Sequence, residues 1–317
     1  MIWNESKECM SREQMHDLQS KRLRKLVSTV YHNTPFYRRK MQEMDITPDD
    51  IRSIDDIVKL PFTTKQDLRD NYPFGLQAVP TSEIVRIHAS SGTTGNPTIV
   101  GYTRHDLEIW QESIARCLTA YGITRNDIFS VGYGYGLFTG GLGAHYGAEY
   151  VGATVIPTST GNTEKHVRLI RDLGITGIAC TPSYALYLAE TIEKMGIDPQ
   201  MLKLRVGMFG AEPWTENMRK EIESRLHLSA YNCYGLSEIM GPGVAHECEC
   251  KNGSHILEDH YYPEIISPET LQPLPFGQTG ELVFTTLTKE GMPLLRYRTK
   301  DLTSLIEGIC DCGRTNV

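Results

Sequence analysis

An α/β fold is what the sequence predicts: a parallel sheet covered by helices, followed by a small β-rich subdomain. Three observations carry the prediction. Residues 81–235 alternate short buried-strand runs with helical runs, the pattern of strands joined by helical crossovers. A run of hydroxyls and glycines, Ser90-Ser91-Gly92-Thr93-Thr94-Gly95-Asn96-Pro97, stands between two strand-like segments early in that region. After Gly241 the character changes: Pro263, Pro268, Pro273 and Pro275 cluster, and β-rich pieces such as residues 281–286 replace the helices.

The elements follow in order. Residues 12–80 read as mostly helical and irregular, with Leu18, Leu23, Leu26, Val27 and Val30 on one apolar stripe. Residues 61–68 look like a helix start, with Thr63 and Gln66 at capping-box spacing. Residues 83–88 and 98–103 read as strands on either side of the loop. A helical pattern follows Arg104, with Leu107, Trp110, Ile114 and Leu118 on one face. Short buried strands are expected at 128–132, 153–157, 175–181, 204–210 and 228–234, and helices near 163–173, 183–195 and 214–226. Thr181-Pro182 fits an N-cap with proline at the first helical position. A further strand is expected at 302–306. This divides the chain into a helical segment over 1–80, an α/β core over 81–240 and a β-rich subdomain over 241–317.

Composition narrows the function classes. The chain has 317 residues, 40% hydrophobic and 22% charged, with a net charge of -7. That balance gives no reason to expect a nucleic acid or a membrane surface as partner. No apolar run reaches the length of a membrane span. Met1-Ile2-Trp3-Asn4-Glu5 lacks the basic-then-apolar opening of a signal peptide, so a cytoplasmic location is the default expectation.

The loop at Ser90 to Gly95 has the makings of a phosphate site. Glycines let the backbone turn tightly and approach a ligand, and successive amides form an anion-binding nest to which hydroxyls add donors. A Ser/Gly linker would share this composition, but strand-like segments stand close on both sides. A Walker A loop does not fit, because Pro97 stands where that motif needs its second glycine and the loop has no lysine.

Three more stretches fall at strand ends. Tyr234-Gly235-Leu236-Ser237-Glu238 offers a flat ring, a hydroxyl for a phosphate and a carboxylate for Mg²⁺ at the carboxyl end of a buried strand. Gly207-Met208-Phe209-Gly210-Ala211-Glu212-Pro213 ends another strand with residues small enough for an adenine to lie on backbone, though an ordinary strand–helix turn reads the same way. In Tyr297-Arg298-Thr299-Lys300-Asp301, Asp301 could accept both ribose hydroxyls, but taken alone the stretch favours a surface Asp paired with Arg298 or Lys300.

Together, in this order, these stretches resemble the acyl-adenylate-forming (AMP-binding) enzyme superfamily, and within it the phenylacetate–CoA ligases. Pointers to that branch are Tyr31-His32-Asn33-Thr34-Pro35-Phe36-Tyr37, residues 61–68, residues 132–141, Glu258-Asp259-His260 and residues 282–289. The resemblance runs from about residue 12 to the end. It implies the fold of the large N-terminal domain of such an enzyme. It also implies an ATP-dependent ligase that activates an aryl acid as acyl-AMP and transfers it to coenzyme A. Ser90, Ser91, Gly92, Thr93, Thr94 and Gly95 would hold the β- and γ-phosphates. Ala211, Glu212 and Pro213, with Asn232, Cys233 and Tyr234, would line the adenine site. Ser237 would meet the α-phosphate, Glu238 would bind Mg²⁺ and Asp301 the ribose. Tyr133, Tyr135, Phe138, Gly210 and Ile239 would line the acid pocket. No side-chain nucleophile is needed, so His88 and His145 read as structural. Relatives often pair as homodimers.

Two departures qualify the resemblance. Asn96 and Thr98 stand where many members carry a lysine near the end of the phosphate loop. The resemblance also implies a hinge and a small C-terminal domain with a catalytic lysine, beyond the residues of this sequence. The competing readings are an adenylating enzyme for another carboxylate or acceptor, and a nucleotide-binding remnant without that domain.

Of eight cysteines, four form two close pairs, Cys248/Cys250 and Cys310/Cys312. Alternate residues of a strand share a face, which puts His246, Cys248 and Cys250 together. Tetrahedral Zn²⁺ is the expected ligand, held structurally by Cys248, Cys310 and Cys312 with either His246 or Cys250.

Overall fold

The computed structural model describes residues 1–90 and 97–317; the loop residues Ser91, Gly92, Thr93, Thr94, Gly95 and Asn96 lie outside the described residues. The helices and strands run α1 (Glu5–Glu8), α2 (Arg12–Asn33), α3 (Pro35–Glu43), α4 (Lys65–Asp70), β1 (Arg86–Ala89), β2 (Ile99–Tyr102), α5 (Arg104–Ala120) and β3 (Ile128–Val131). They continue with α6 (Thr139–Val151), β4 (Thr154–Ile156), α7 (Thr163–Leu173), β5 (Gly177–Cys180), α8 (Pro182–Lys194), β6 (Val206–Phe209), α9 (Glu216–Leu226) and β7 (Ser229–Leu236). Then come β8 (Gly241–His246), β9 (His255–Ile256), β10 (Tyr261–Ile266), β11 (Gly280–Thr286) and β12 (Tyr297–Thr303). Two compact units divide the chain, one of Met1–Trp3 with Ile109–His255, the other of Asn4–Glu108 with Ile256–Val317.

The first unit carries the parallel sheet. Its order is β4-β3-β5-β6-β7-β8-β9, with β4 through β7 parallel and β8 antiparallel to β7. The strands are short and apolar because both faces are covered. Ile178, Cys180, Phe209 and Ala230 point to one face, where they pack with Val167 and Ile170 of α7, Leu188 and Ile192 of α8, and Ile222 and Leu226 of α9. Their neighbours point the other way: Tyr231 is stacked by Tyr121 at 4.7 Å between ring centres. Every expected strand and helix of this region forms, with ends displaced by a few residues at most. Thr181 caps α8 as expected, accepting the Tyr184 N–H at 3.2 Å, with Pro182 in the first turn.

In the second unit, α2 buries Leu23, Leu26, Val27 and Val30 of the expected stripe. Here β1 and β2 form their own antiparallel pair rather than joining the parallel sheet, and β10-β11-β12 form a second antiparallel sheet. The helix start at residues 61–68 is capped one residue later than its spacing predicts. Thr64 and Asp67 form the capping box. The reason is that the Thr63 hydroxyl is committed elsewhere, donating to the Leu295 carbonyl at 2.7 Å and meeting the Tyr37 hydroxyl at 3.0 Å. Arg296 and Glu264 form a buried two-point ion pair under this sheet, at 3.1 and 2.8 Å.

Candidate active site

The sequence places its candidate residues at the carboxyl ends of parallel strands, where ligands of open α/β sheets bind. In the first unit the ends of β3, β5, β6 and β7 carry, respectively, residues 132–138, residues 181–183, residues 210–213 and residues 234–240. Tyr133 ties three of these ends together. Its buried hydroxyl donates to the Cys180 carbonyl at 2.6 Å and lies 3.4 Å from the Gly210 carbonyl. Burial holds its pKa well above that of an ordinary tyrosine, so it stays a neutral donor.

The turn after β6 is held from two sides. Ala211 takes the left-handed backbone conformation, with φ of 70°, unusual for a residue with a side chain. The next residue, Glu212, accepts the Ser183 backbone N–H at 2.7 Å and the Ser183 hydroxyl, docking on the first turn of α8. Trp214, just beyond, donates from its indole to the Asn232 side-chain oxygen at 3.0 Å. Asn232 in turn gives its backbone N–H to Glu247 at 2.6 Å and receives the Tyr121 hydroxyl on its carbonyl at 2.8 Å. Glu247 is paired in two-point fashion with Arg219, at 2.9 and 2.7 Å, and the Arg219 guanidinium stacks on Trp214 at 4.6 Å. Desolvation opposes the charge of this arginine, but the hydrogen bonds and charge of Glu247 outweigh it, so its pKa is raised.

The β7–β8 turn carries Ser237 and Glu238, which are 7% and 5% exposed. Backbone approach is close here. A side chain on Gly235 would place its first carbon 1.9 Å from the Gly241 carbonyl oxygen, which explains the glycine. Trp110 holds the hairpin from α5, its indole donating to the Pro242 carbonyl at 3.0 Å. Ile114, one turn on, packs where Gly147 of α6 has no side chain. The Ser237 hydroxyl lies 3.2 Å from that of Thr139, the first residue of α6. Ile239 is fully buried beside them, and Cys233 is buried within β7.

Tyr135 and Phe138 stand in the glycine-rich loop between β3 and α6, with Phe138 39% exposed and its ring 6.4 Å from that of Tyr133. In the second unit, the backbone N–H of Ser90 donates to the Thr98 carbonyl at 3.0 Å and its hydroxyl accepts the Thr98 N–H at 3.3 Å. Ser90 and Thr98 are thereby joined. Asp301 is exposed on β12; Arg298 and Lys300 pair with Glu281. Sequence reasoning missed Trp110, Thr139, Ser183, Trp214, Arg219 and Glu247, the residues that hold the candidate ligands in place. A charged residue on the apolar side of α9 was the only available signal for Arg219.

This fold, with its strand-end loops, defines an AMP-binding enzyme, and the family model of that description matches residues 8–287. A phenylacetate-coenzyme A ligase of Pseudomonas putida is 57% identical over 302 residues, covering 95% of this chain and 69% of that one; its counterpart in Thermus thermophilus is 53% identical over 318 residues, covering 100% and 72%. The chain belongs to the phenylacetate–coenzyme A ligase family. Its structure is similar to an open form of 2-hydroxyisobutyryl-CoA ligase in complex with 2-HIB-AMP and CoA, with a TM-score of 0.93 at 28% identity over 98% of this chain and 74% of that one. No helix among the described residues is long and apolar enough to cross a membrane.

Proposed function

We propose that this chain activates an aryl acid of the phenylacetate type with ATP and passes it to coenzyme A. The observation that carries the reading is the buried Ser237–Glu238 pair at the carboxyl end of β7, in a chain whose relatives are phenylacetate-coenzyme A ligases. A carboxylate oxygen of the acid attacks the α-phosphorus of ATP. The bond from that phosphorus to the bridging oxygen of the β-phosphate breaks, and pyrophosphate leaves with the electron pair. The coenzyme A sulfur then adds to the acyl carbonyl, AMP leaves with the electrons of the acyl–oxygen bond, and the thiol proton passes to solvent. The protein contributes positioning and charge neutralisation rather than a covalent group.

The roles follow from the residues. Ser90 and residues 91–95 receive the β- and γ-phosphates, and Asp301 the ribose. The backbone of Ala211, Glu212 and Pro213, with Asn232, Cys233 and Tyr234, forms the adenine side. Ser237 donates to the α-phosphate. Magnesium, when bound, supplies positive charge at the phosphate oxygens, and Glu238 offers the buried hard-oxygen ligand it needs. Tyr135, Phe138 and Gly210 border the acid, while Tyr133 and Ile239, both buried, back that wall.

ATP–pyrophosphate exchange tests the reading. Exchange should depend on phenylacetate and fall about 10²-fold in Glu238→Gln. Exchange driven only by other acids would overturn the substrate, and nucleotide binding without exchange for any acid would overturn the ligase.

Structural zinc on Cys248, Cys310 and Cys312, with His246 or Cys250 as the fourth ligand, is part of the same proposal. Within each unit the surroundings suit thiolates, since Cys248 Sγ accepts the Cys250 N–H at 3.4 Å and Cys312 Sγ accepts an Arg314 N–H at 3.5 Å. His246 turns Nδ1 to its neighbour's carbonyl at 2.8 Å, and Cys250 is exposed. Metal analysis of untagged protein should give about one zinc per chain, lost in Cys310→Ser. Folded, metal-free wild-type protein would sink the idea.

A further inference from the structure

The loop between β3 and α6 sets Tyr135 between Gly134 and Gly136. A side chain on Gly136 would meet nothing within 4 Å, and one on Gly134 would meet only Thr160 at 3.9 Å. Side-chain contacts are therefore sparse on either side of Tyr135; the backbone support at this point is the Gly134 carbonyl, which lies against Gly141 of α6.

The tyrosine hydroxyl is held. It lies 3.0 Å from His145 Nδ1, and the two rings meet edge to face at 5.7 Å. His145 Nε2 lies 3.1 Å from Glu149 Oε1, one helical turn further along α6. A carboxylate only accepts, so Nε2 carries the proton that points at Glu149. In that tautomer Nδ1 accepts the Tyr135 O–H, and both hydrogen bonds run the same way, toward Glu149. Burial, with the Glu149 charge behind it, keeps the phenol well above its ordinary pKa, so it remains the donor this arrangement requires.

We propose that His145 and Glu149 latch the Tyr135 ring in place as a wall of the acid pocket, so that they set affinity for the acid without touching it. The inference rests on the assignment of Tyr135 to that pocket. His145 and Glu149 are positioning residues, acting through Tyr135. This is a task that composition could not separate from ordinary surface polarity on an amphipathic helix.

The test measures KM for acid, ATP and coenzyme A in wild type, Tyr135→Phe, His145→Ala and the double variant. Loss of one hydrogen bond corresponds to a rise of about 3- to 10-fold in acid KM. Each single variant should show it, the double should be no worse than either single, and KM for ATP should not move. His145→Asn, whose side-chain oxygen can stand in for Nδ1, should recover part of the loss. Amide hydrogen exchange over residues 132–138 should quicken in His145→Ala. Additive effects, an unchanged acid KM, or unchanged exchange in the loop would each overturn the latch. Wild-type protein inactive on phenylacetate would overturn the pocket assignment instead, and the exchange measurement would still decide whether the latch exists.

Discussion

Glu212 of the turn after β6 holds the backbone N–H of Ser183 at 2.7 Å, joining the candidate adenine turn to the first turn of α8. A carboxylate is well suited there, because the first amides of a helix lack partners and the helix dipole favours negative charge at that end. The same bond keeps Glu212 facing α8, so its proposed contribution to a nucleotide site is the shape of the backbone beside Ala211.

Glu212→Ala should therefore raise KM for ATP while leaving that for the acid nearly unchanged. Stability should fall by about 1–2 kcal/mol. Glu212→Gln, which keeps an acceptor, should lie between. Steady-state kinetics and urea unfolding measure both, and an unchanged ATP KM in a destabilised Glu212→Ala would show that the contact serves α8 alone.

The Arg219–Glu247 pair makes the opposite kind of prediction. Both side chains are 8% exposed, so removing one strands a buried charge. Glu247→Leu should cost about 3–5 kcal/mol in denaturant unfolding. Arg219→Met with Glu247→Leu should recover only part of that, since the Asn232 N–H still loses its acceptor.

Two glycines separate packing from function. Gly235→Ala should destabilise by about 3 kcal/mol or more, because its new methyl group meets the Gly241 carbonyl. Gly136→Ala, with open space around it, should fold as wild type. Thermal melts of the two variants decide the matter.

Stability should also depend on pH through His166. This buried ring sits 2.7 Å from Ser130 Oγ and 3.1 Å from the Tyr184 hydroxyl, and burial pushes its pKa down from 6.5 to about 4. The unfolded ring binds its proton near pH 6.5, the folded one only near 4. Its contribution is therefore fully present above 6.5 and is lost progressively as pH falls toward about 4, by about 3 kcal/mol in all. Unfolding free energies of wild type and His166→Phe from pH 7.5 to 4.5 should converge toward the acid end; parallel curves would contradict the assignment.

Periodicity and strand-end motifs were enough to read the sheet of the first unit, because its strands are buried on both faces and its helices carry one apolar stripe. The same reading placed β1 and β2 in that sheet's alternating region, since a four-residue apolar strand looks alike whether its partner is parallel or antiparallel. The capping box slipped by one residue because Thr63 and Thr64 are equivalent in sequence, and only the distant Leu295 carbonyl tells them apart. The candidate ligands were visible as glycine-bordered polar runs. Their supports were not: Arg219 meets Glu247 across 28 positions, and Trp110 meets Pro242 across 132.

The hairpin of β7 and β8 is shaped by atoms that are missing. Gly235 and Gly147 each leave a gap that backbone or Ile114 fills, and Trp110 closes over what remains. Directed evolution of acid preference would meet two kinds of ground here. Around Gly136 new side chains have room to be tried, whereas at Gly235, Gly241 and Gly243 of the hairpin an added methyl group meets backbone, Trp110 or Ile114. A library aimed at the first place explores shape; one aimed at the second mostly trades away stability.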